Sequence, residues 1–114
     1  MSSTTGKNTE STTKAIVIIE ATFNANGMHT PEFKEYSRRS NANGEARGGM
    51  VLGKYQVTDN LAEGELPHLL LVIEYPDIDS ARETFSNAEY LSILPLRKVA
   101  FKQVKIYTTN SLPL

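Results

Sequence analysis

A strand that leads through a proline into a helix constrains the fold of this chain more than any other feature. Residues 69–75 (LLLVIEY) form an apolar run that is too short for a typical helix, and Pro76 ends it. A helical segment follows, and Ala81, Phe85 and Tyr90 are among its apolar positions. Because a strand and a helix joined so closely must bury apolar surface on each other, the stretch predicts a sheet covered by helices.

Three other runs are rich in β-branched and aromatic residues, which gives four predicted strands at residues 14–23, 50–58, 69–75 and 101–109. The first helix is predicted to begin at Thr30, Pro31 and Glu32, where an N-cap, an N1 proline and an acidic first turn coincide. Asn43-Gly44 is predicted to end this helix.

The second helical region lies between the third and fourth strands. Asp77 or Asp79 is predicted to cap it, and Asn87-Ala88 is predicted to interrupt it. The element order is therefore βαββαβ, which predicts an α+β fold with an antiparallel sheet and helices on one face.

The first predicted strand is apolar on both faces. Val17, Ile19 and Ala21 share one face, while Ile16 and Ile18 occupy the other. Helices on one side leave the second face uncovered, and an exposed apolar sheet face marks an interface. The pattern therefore predicts a homodimer in which two open sheet faces pack together and form a barrel.

The residue order from the third strand onward resembles that of a known family. A glutamate, an aromatic residue and a proline follow the apolar strand, and an Ala-Arg pair, a second aromatic residue, Glu89-Tyr90 and a Leu-Arg pair ending at Arg97 come next. This order resembles the family called domain of unknown function thirteen-thirty, as does Gly48-Gly49 before the second strand. The resemblance implies a ferredoxin-like fold and a dimeric α+β barrel, and it implies no particular reaction.

Length and composition indicate a single small domain. The 114 residues are predicted to form a domain at 14–110, preceded by a Ser/Thr-rich tail at 1–13 and followed by a short tail at 111–114. A net charge of −1 gives no basic surplus for nucleic acid, and no apolar run approaches the roughly 20 residues that span a bilayer. The absence of cysteine excludes thiolate chemistry and fits a cytoplasmic protein.

Two carboxylates lie within apolar strands and are candidates for a general base. Glu20 shares a strand face with Ile16 and Ile18, and Glu74 shares one with Leu70 and Val72. A carboxylate among apolar side chains tends to have a raised pKa, which suits proton abstraction. The alternative is a structural ion pair with a basic residue such as Arg97, Arg82 or Lys54, or exposure to water at a strand end.

His68 is the third catalytic candidate. Its place at the start of the third strand puts it near the end of the first strand, around Glu20 to Phe23, where a His and a carboxylate could share a proton. The alternative is an edge histidine in a turn after Pro67. The two histidines lack metal-binding spacing and no nucleotide-binding motif occurs, so neither a metal nor a cofactor is predicted.

Tyr55, Tyr90 and Arg97 are predicted to bind a ligand. Tyrosines can line a pocket, although core packing with a satisfied hydroxyl is the alternative. Arg97 follows Glu89 by eight residues, too far for a pair within one helical turn, so it is expected to reach a strand carboxylate or to anchor the helix.

Three functions fit these features. The first is a homodimer that binds a small apolar or aromatic ligand between the sheet and the helices. The second is a cofactor-independent monooxygenase or isomerase that uses a buried carboxylate or histidine as its base, as related barrel families imply. The third is a partner-binding module that docks through the Ser/Thr-rich tail. A single scaffold hosts many functions, so the fold does not separate these possibilities.

Overall fold

A computed structural model describes residues 13–113 of the chain, so most of the predicted N-terminal tail and Leu114 lie outside the described residues. The elements occur in the predicted βαββαβ order, and the second helical region consists of three short helices. Their bounds are β1 Ala15–Phe23, α1 Pro31–Ala46, β2 Met50–Gln56, β3 Leu69–Tyr75, α2 Ile78–Thr84, α3 Ala88–Ser92, α4 Leu94–Ala100 and β4 Phe101–Thr108. One turn of 3-10 helix, Gly27–His29, connects β1 to α1.

The four strands form one antiparallel sheet in the order β2-β3-β1-β4. The central strand β1 pairs with β3 on one side and with β4 on the other, and β2 lies at the edge beyond β3. This is the ferredoxin-like α+β arrangement, which confirms the predicted fold class. The third predicted strand has the observed bounds, and the other three extend one or two residues too far at one end, where boundaries are least well determined by sequence.

The start of α1 agrees with the prediction, but its end does not. The Thr30 Oγ1 accepts a hydrogen bond from the Phe33 amide at 3.1 Å, and Pro31 occupies the first turn. The helix continues past Asn43-Gly44 to Ala46. Both residues are buried because Asn43 contacts α2, and Gly44 lies against the Tyr75 hydroxyl, 3.4 Å from where a Cβ would stand.

Side-chain caps begin the first two helices of the second helical region, as the sequence predicts. The further break before α4, at Ile93, has no side-chain cap and was not predicted. The Asp77 Oδ1 accepts a hydrogen bond from the Ser80 amide at 2.7 Å and begins α2. The Asn87 Oδ1 accepts one from the Tyr90 amide at 2.8 Å and begins α3. Gly48, with φ of +85°, turns the chain from α1 into β2.

The two faces of the sheet have different surroundings. On the helix side, Val17 and Ile19 of β1 pack with Tyr75 and Ala81, and a second cluster forms around Phe101. On the opposite face, residues of β1 and β3 remain partly exposed, among them Ile16, Ile18, Leu70 and Val72. We call this second surface the open face. The dimer predicted from it remains a prediction.

Across the described residues, none of the helices has the length and apolar character needed to cross a membrane.

Candidate functional site

A cavity of about 330 Å³ lies between the helix side of the sheet and α1. Apolar side chains from the strands and α2 region form most of its wall: Ile19, Leu69, Leu71, Ile73, Phe85 and Val104. The α1 side contributes small residues such as Ser40 and Gly44, which leave the space open. We call this space the helix-side cavity. Its size and apolar wall match those of small-molecule sites.

Tyr36 of α1 brings a hydroxyl group to the wall of the helix-side cavity. Its oxygen lies 2.9 Å from the Tyr90 hydroxyl oxygen, which accepts a hydrogen bond from Arg97 Nη1 at 3.0 Å. Because Arg97 only donates, the Tyr90 hydroxyl can donate its own proton to Tyr36, and in that arrangement the Tyr36 proton is free for a ligand. These three side chains form a polar chain that we call the Arg97–Tyr90–Tyr36 chain.

Burial raises the pKa of Tyr36 far above that of an ordinary tyrosine, and the neighbouring Tyr90 raises it further. The nearby Arg97 acts in the opposite direction and is a smaller effect. Tyr36 therefore stays protonated and acts as a hydrogen-bond donor, not as a base. The arrangement suits a ligand that carries a carbonyl, ether or hydroxyl oxygen.

Glu89, next to Tyr90, fixes α1 against α3. Its carboxylate accepts a hydrogen bond from Arg39 Nε at 3.1 Å, and the same guanidinium donates one to Ser92 Oγ at 2.9 Å. Both side chains of the ion pair are partly exposed, so the pair orients α1 relative to α3 and contributes little to the stability of the fold. The Glu-Tyr pair singled out from the sequence thus positions helices around the helix-side cavity.

Glu20 and Glu74 lie on the open face and line neither cavity described for this chain. Glu74 Oε1 is 3.5 Å from Lys14 Nζ, and this lysine is well exposed. Glu20 lies opposite Leu70 in β3 and Lys105 in β4. The two carboxylates are therefore separated by the sheet from the helix-side cavity.

The predicted ligand-binding residues occupy different places. Tyr90 is buried behind Tyr36, and Arg97 donates to Tyr90 instead of reaching a strand carboxylate. Tyr55 faces the same side as Leu70, with 54% of its surface exposed, and lines neither cavity. Tyr36 was missed as a site residue, although its spacing after Phe33 marks it as part of the buried face of α1.

His68 lies beside the end of β1, as its position in the sequence predicts. Its Nδ1 accepts a hydrogen bond from the Phe23 amide at 3.1 Å, so the partner of this nitrogen is a backbone amide and not a carboxylate. His68 lines a second cavity of about 400 Å³, which we call the His68 cavity. Among residues 13–113, His, Cys, Asp and Glu side chains form no group of three that could hold a metal ion.

Comparison with known proteins gives one family and several similar folds. The family model described as Domain of unknown function (DUF1330) matches residues 14–108. No curated protein matches the chain. A solved protein of unknown function from Rhodopseudomonas palustris has a TM-score of 0.73 and 15% identity, with 97% of this chain and 94% of that chain covered.

Two further structures share the fold. A dabb family protein with a ferredoxin-like fold from Mesorhizobium loti has a TM-score of 0.61 and 13% identity, covering 88% of this chain and 98% of that chain. The cofactor-independent oxygenase SnoaB from Streptomyces nogalater has a TM-score of 0.55 and 11% identity, covering 87% and 95%. At such identities the similarity establishes the fold alone.

Proposed function

The chain belongs to the family of Domain of unknown function (DUF1330), and on that premise we propose that it is a homodimer that binds a small aromatic ligand in the helix-side cavity. The Tyr36 hydroxyl at the cavity wall is the observation that carries this proposal. The ligand is an uncharged single-ring compound with one oxygen that accepts the Tyr36 proton.

The shape and polarity of the cavity support this class of ligand. A space of about 330 Å³ accommodates one aromatic ring with a short substituent. Strand side chains such as Leu71, Ile73 and Val104 supply apolar contact, while Tyr36 supplies the directed polar contact. A ligand oxygen that failed to meet Tyr36 would lose a hydrogen bond on leaving water, so the hydroxyl selects for an acceptor.

The open face supports the dimer. Ile16, Ile18, Leu70 and Val72 form a continuous apolar centre, because Ile18 and Val72 are register partners and the other two flank them on the same face. Charged groups of both signs surround this centre, with Lys105 opposite Glu20. A two-fold axis through such a face would bury the apolar centre of one copy against that of the other.

A cofactor-independent oxygenase is the second candidate, because SnoaB and a putative antibiotic biosynthesis monooxygenase from Nitrosomonas europaea share the fold. Such a reaction needs a base at the ligand. Glu20 and Glu74 are on the opposite side of the sheet, and the carboxylate that lines the helix-side cavity is Glu45, which is exposed. The geometry therefore favours binding over base catalysis.

Side-chain methyl groups provide a direct test of ligand binding. Val104 of β4 lines the helix-side cavity, and Met28 lines the His68 cavity. In protein labelled with carbon-13 at the methionine and valine methyls, acetophenone should shift the Val104 resonances, assigned with Val104→Ile. Tyr36→Phe should weaken binding by about five- to tenfold, the loss of one hydrogen bond.

Tyr55→Phe is the matched control, since Tyr55 lines neither cavity, and it should leave the affinity unchanged. Equal affinity in wild type and Tyr36→Phe would refute the role of the hydroxyl. Unshifted Val104 resonances at saturating acetophenone would refute the cavity as a site for this class of ligand.

Native mass spectrometry tests the dimer separately. Ile18→Lys places a charge in the centre of the open face and should yield a monomer. Leu91→Lys, an equally drastic change at an exposed leucine of α3, should leave the dimer intact. A wild-type monomer, or a dimer that persists in Ile18→Lys, would refute assembly through the open face.

A further inference from the structure

The His68 cavity differs chemically from the helix-side cavity, and we propose that it binds the carboxylate end of a small aromatic or aliphatic acid. Its wall combines apolar side chains with a lysine, a glutamine and a histidine: Phe23, Met28, Phe33, Lys54, Gln56, Val57, His68 and Leu69. The apolar part would hold the body of the acid, and Lys54 with His68 would hold its carboxylate.

Aromatic rings organise the apolar part of this cavity. Phe23 meets Phe33 edge to face, with ring centroids 5.2 Å apart. Phe23 also stacks on Phe101 at 4.9 Å and lies nearly parallel to His68 at 6.0 Å, with 19° between the ring planes. These contacts fix the orientation of Phe23 and His68. A cavity of about 400 Å³ with such a wall has room for one ring or a short alkyl chain.

The backbone determines which nitrogen of His68 is free. The register of β1 against β4 shifts between Thr22 and Phe23, and the Phe23 amide donates to His68 Nδ1 at 3.1 Å. A nitrogen that accepts a hydrogen bond carries no proton, so a neutral His68 carries its proton on Nε2. His68 is therefore a fixed donor at Nε2, which suits an anionic oxygen and does not suit proton abstraction.

Lys54 adds a positive charge to the same wall. No aspartate or glutamate lines the His68 cavity, and Lys54 forms no ion pair with any residue from 13 to 113. A lysine without a nearby counter-charge favours an anion. An ammonium group and an N–H donor beside apolar rings complement a carboxylate attached to an apolar body better than they complement a neutral ligand.

Benzoate and its neutral analogue benzamide are suitable probes, because they have the same ring and differ in charge. In the same methyl-labelled protein at neutral pH, benzoate should shift the Met28 resonance, assigned with Met28→Leu, and should bind about tenfold more tightly than benzamide. Lys54→Met should reduce this preference to about twofold or less, because the charge is lost while the aliphatic stem remains. Lys102→Met, at an exposed lysine that lines neither cavity, should keep it.

His68 is tested by two substitutions. His68→Phe retains a stacked ring and loses the donor, so benzoate binding should weaken about three- to fivefold. His68→Gln supplies an acceptor for the Phe23 amide and a donor for the ligand, so it should restore part of the affinity. A retained Met28 chemical shift in the free variants confirms that the cavity is intact.

Three results would overturn the proposal. The first is benzamide binding as tightly as benzoate, and the second is an undiminished preference in Lys54→Met. The third is a benzoate-induced shift at Val104 with none at Met28. This last result concerns only the His68 cavity. The acetophenone experiment tests the proposed neutral-ligand site around Tyr36 separately.

Discussion

The Tyr90 hydroxyl joins Arg97 to Tyr36, and the substitution Tyr90→Phe removes both hydrogen bonds while retaining the ring. Tyr90 is only 2% exposed, so water cannot replace its partners without opening the structure. The ring contacts with Phe85 at 5.3 Å and Tyr36 at 6.3 Å remain in the variant. The expected loss therefore comes from the hydroxyl and not from packing.

The magnitude follows from the two bonds. The bond between the tyrosine hydroxyls is neutral and contributes about 1 kcal/mol, while the bond from Arg97 is charge-assisted and contributes about 1.5–3 kcal/mol. Arg97 is half-buried and can turn partly toward water, so its hydrogen bond to Tyr90 is expected to contribute near the lower end of that range. Tyr90→Phe should lower the free energy of unfolding by about 2–3 kcal/mol, and Tyr36→Phe, which breaks only the neutral bond, by about 1 kcal/mol.

Urea unfolding followed by far-ultraviolet circular dichroism provides the assay, because the chain has no tryptophan to report by fluorescence. The double variant should cost about as much as Tyr90→Phe alone, since the two single variants share one bond. If Tyr36→Phe costs as much as Tyr90→Phe, or if the two losses simply add, the three side chains do not act as a connected chain.

Two further predictions concern caps and buried amides. Asn43→Ala should destabilise the fold by about 2–3 kcal/mol, because Asn43 donates to the Thr84 carbonyl and accepts from the Asn87 side chain, both at 2.9 Å within the protein. Thermal unfolding measures this loss, and a change below about 0.5 kcal/mol would contradict it. Hydrogen bonds from the Ser80 amide and hydroxyl lower the pKa of Asp77, so its ionised form stabilises the fold. Wild type should have a higher urea midpoint than Asp77→Asn at pH values above the ordinary aspartate pKa. This difference should disappear as the pH falls through the lowered pKa of Asp77. A pH-independent difference would contradict this assignment.

Helix starts were predictable because their chemistry is local. Thr30 and Asp77 each bond to an amide three residues ahead, so the sequence contains both partners in one short window. Asn43-Gly44 was predicted to end α1 because the same residue types end many helices. In the fold, Asn43 instead meets Thr84 and Asn87, which are 41 and 44 residues away. No local pattern distinguishes a buried amide of this kind from a terminal one.

The candidate site was only partly predictable for a related reason. Glu20 and Glu74 share a sheet face with apolar residues, as the sequence predicts. Because β1 and β3 are apolar on both faces, the alternation of side chains alone does not determine which face the helices cover. His68 was placed beside the end of β1, because the strand order determines that position. Tyr36 was not recognised, since its partner Tyr90 is 54 residues away. The cavities depend on gaps between side chains that no sequence pattern records.

Leu69 is a wall residue of both cavities, and this shared position has a thermodynamic consequence. A ligand that selects one rotamer of Leu69 from one side changes the space available on the other side. Any resulting coupling must be reciprocal: if a neutral ligand beside Tyr36 weakens the binding of an acid beside His68 by some factor, the acid weakens the neutral ligand by the same factor. Leu69, at the start of β3, would then couple the two proposed sites, so that each ligand changes the affinity for the other.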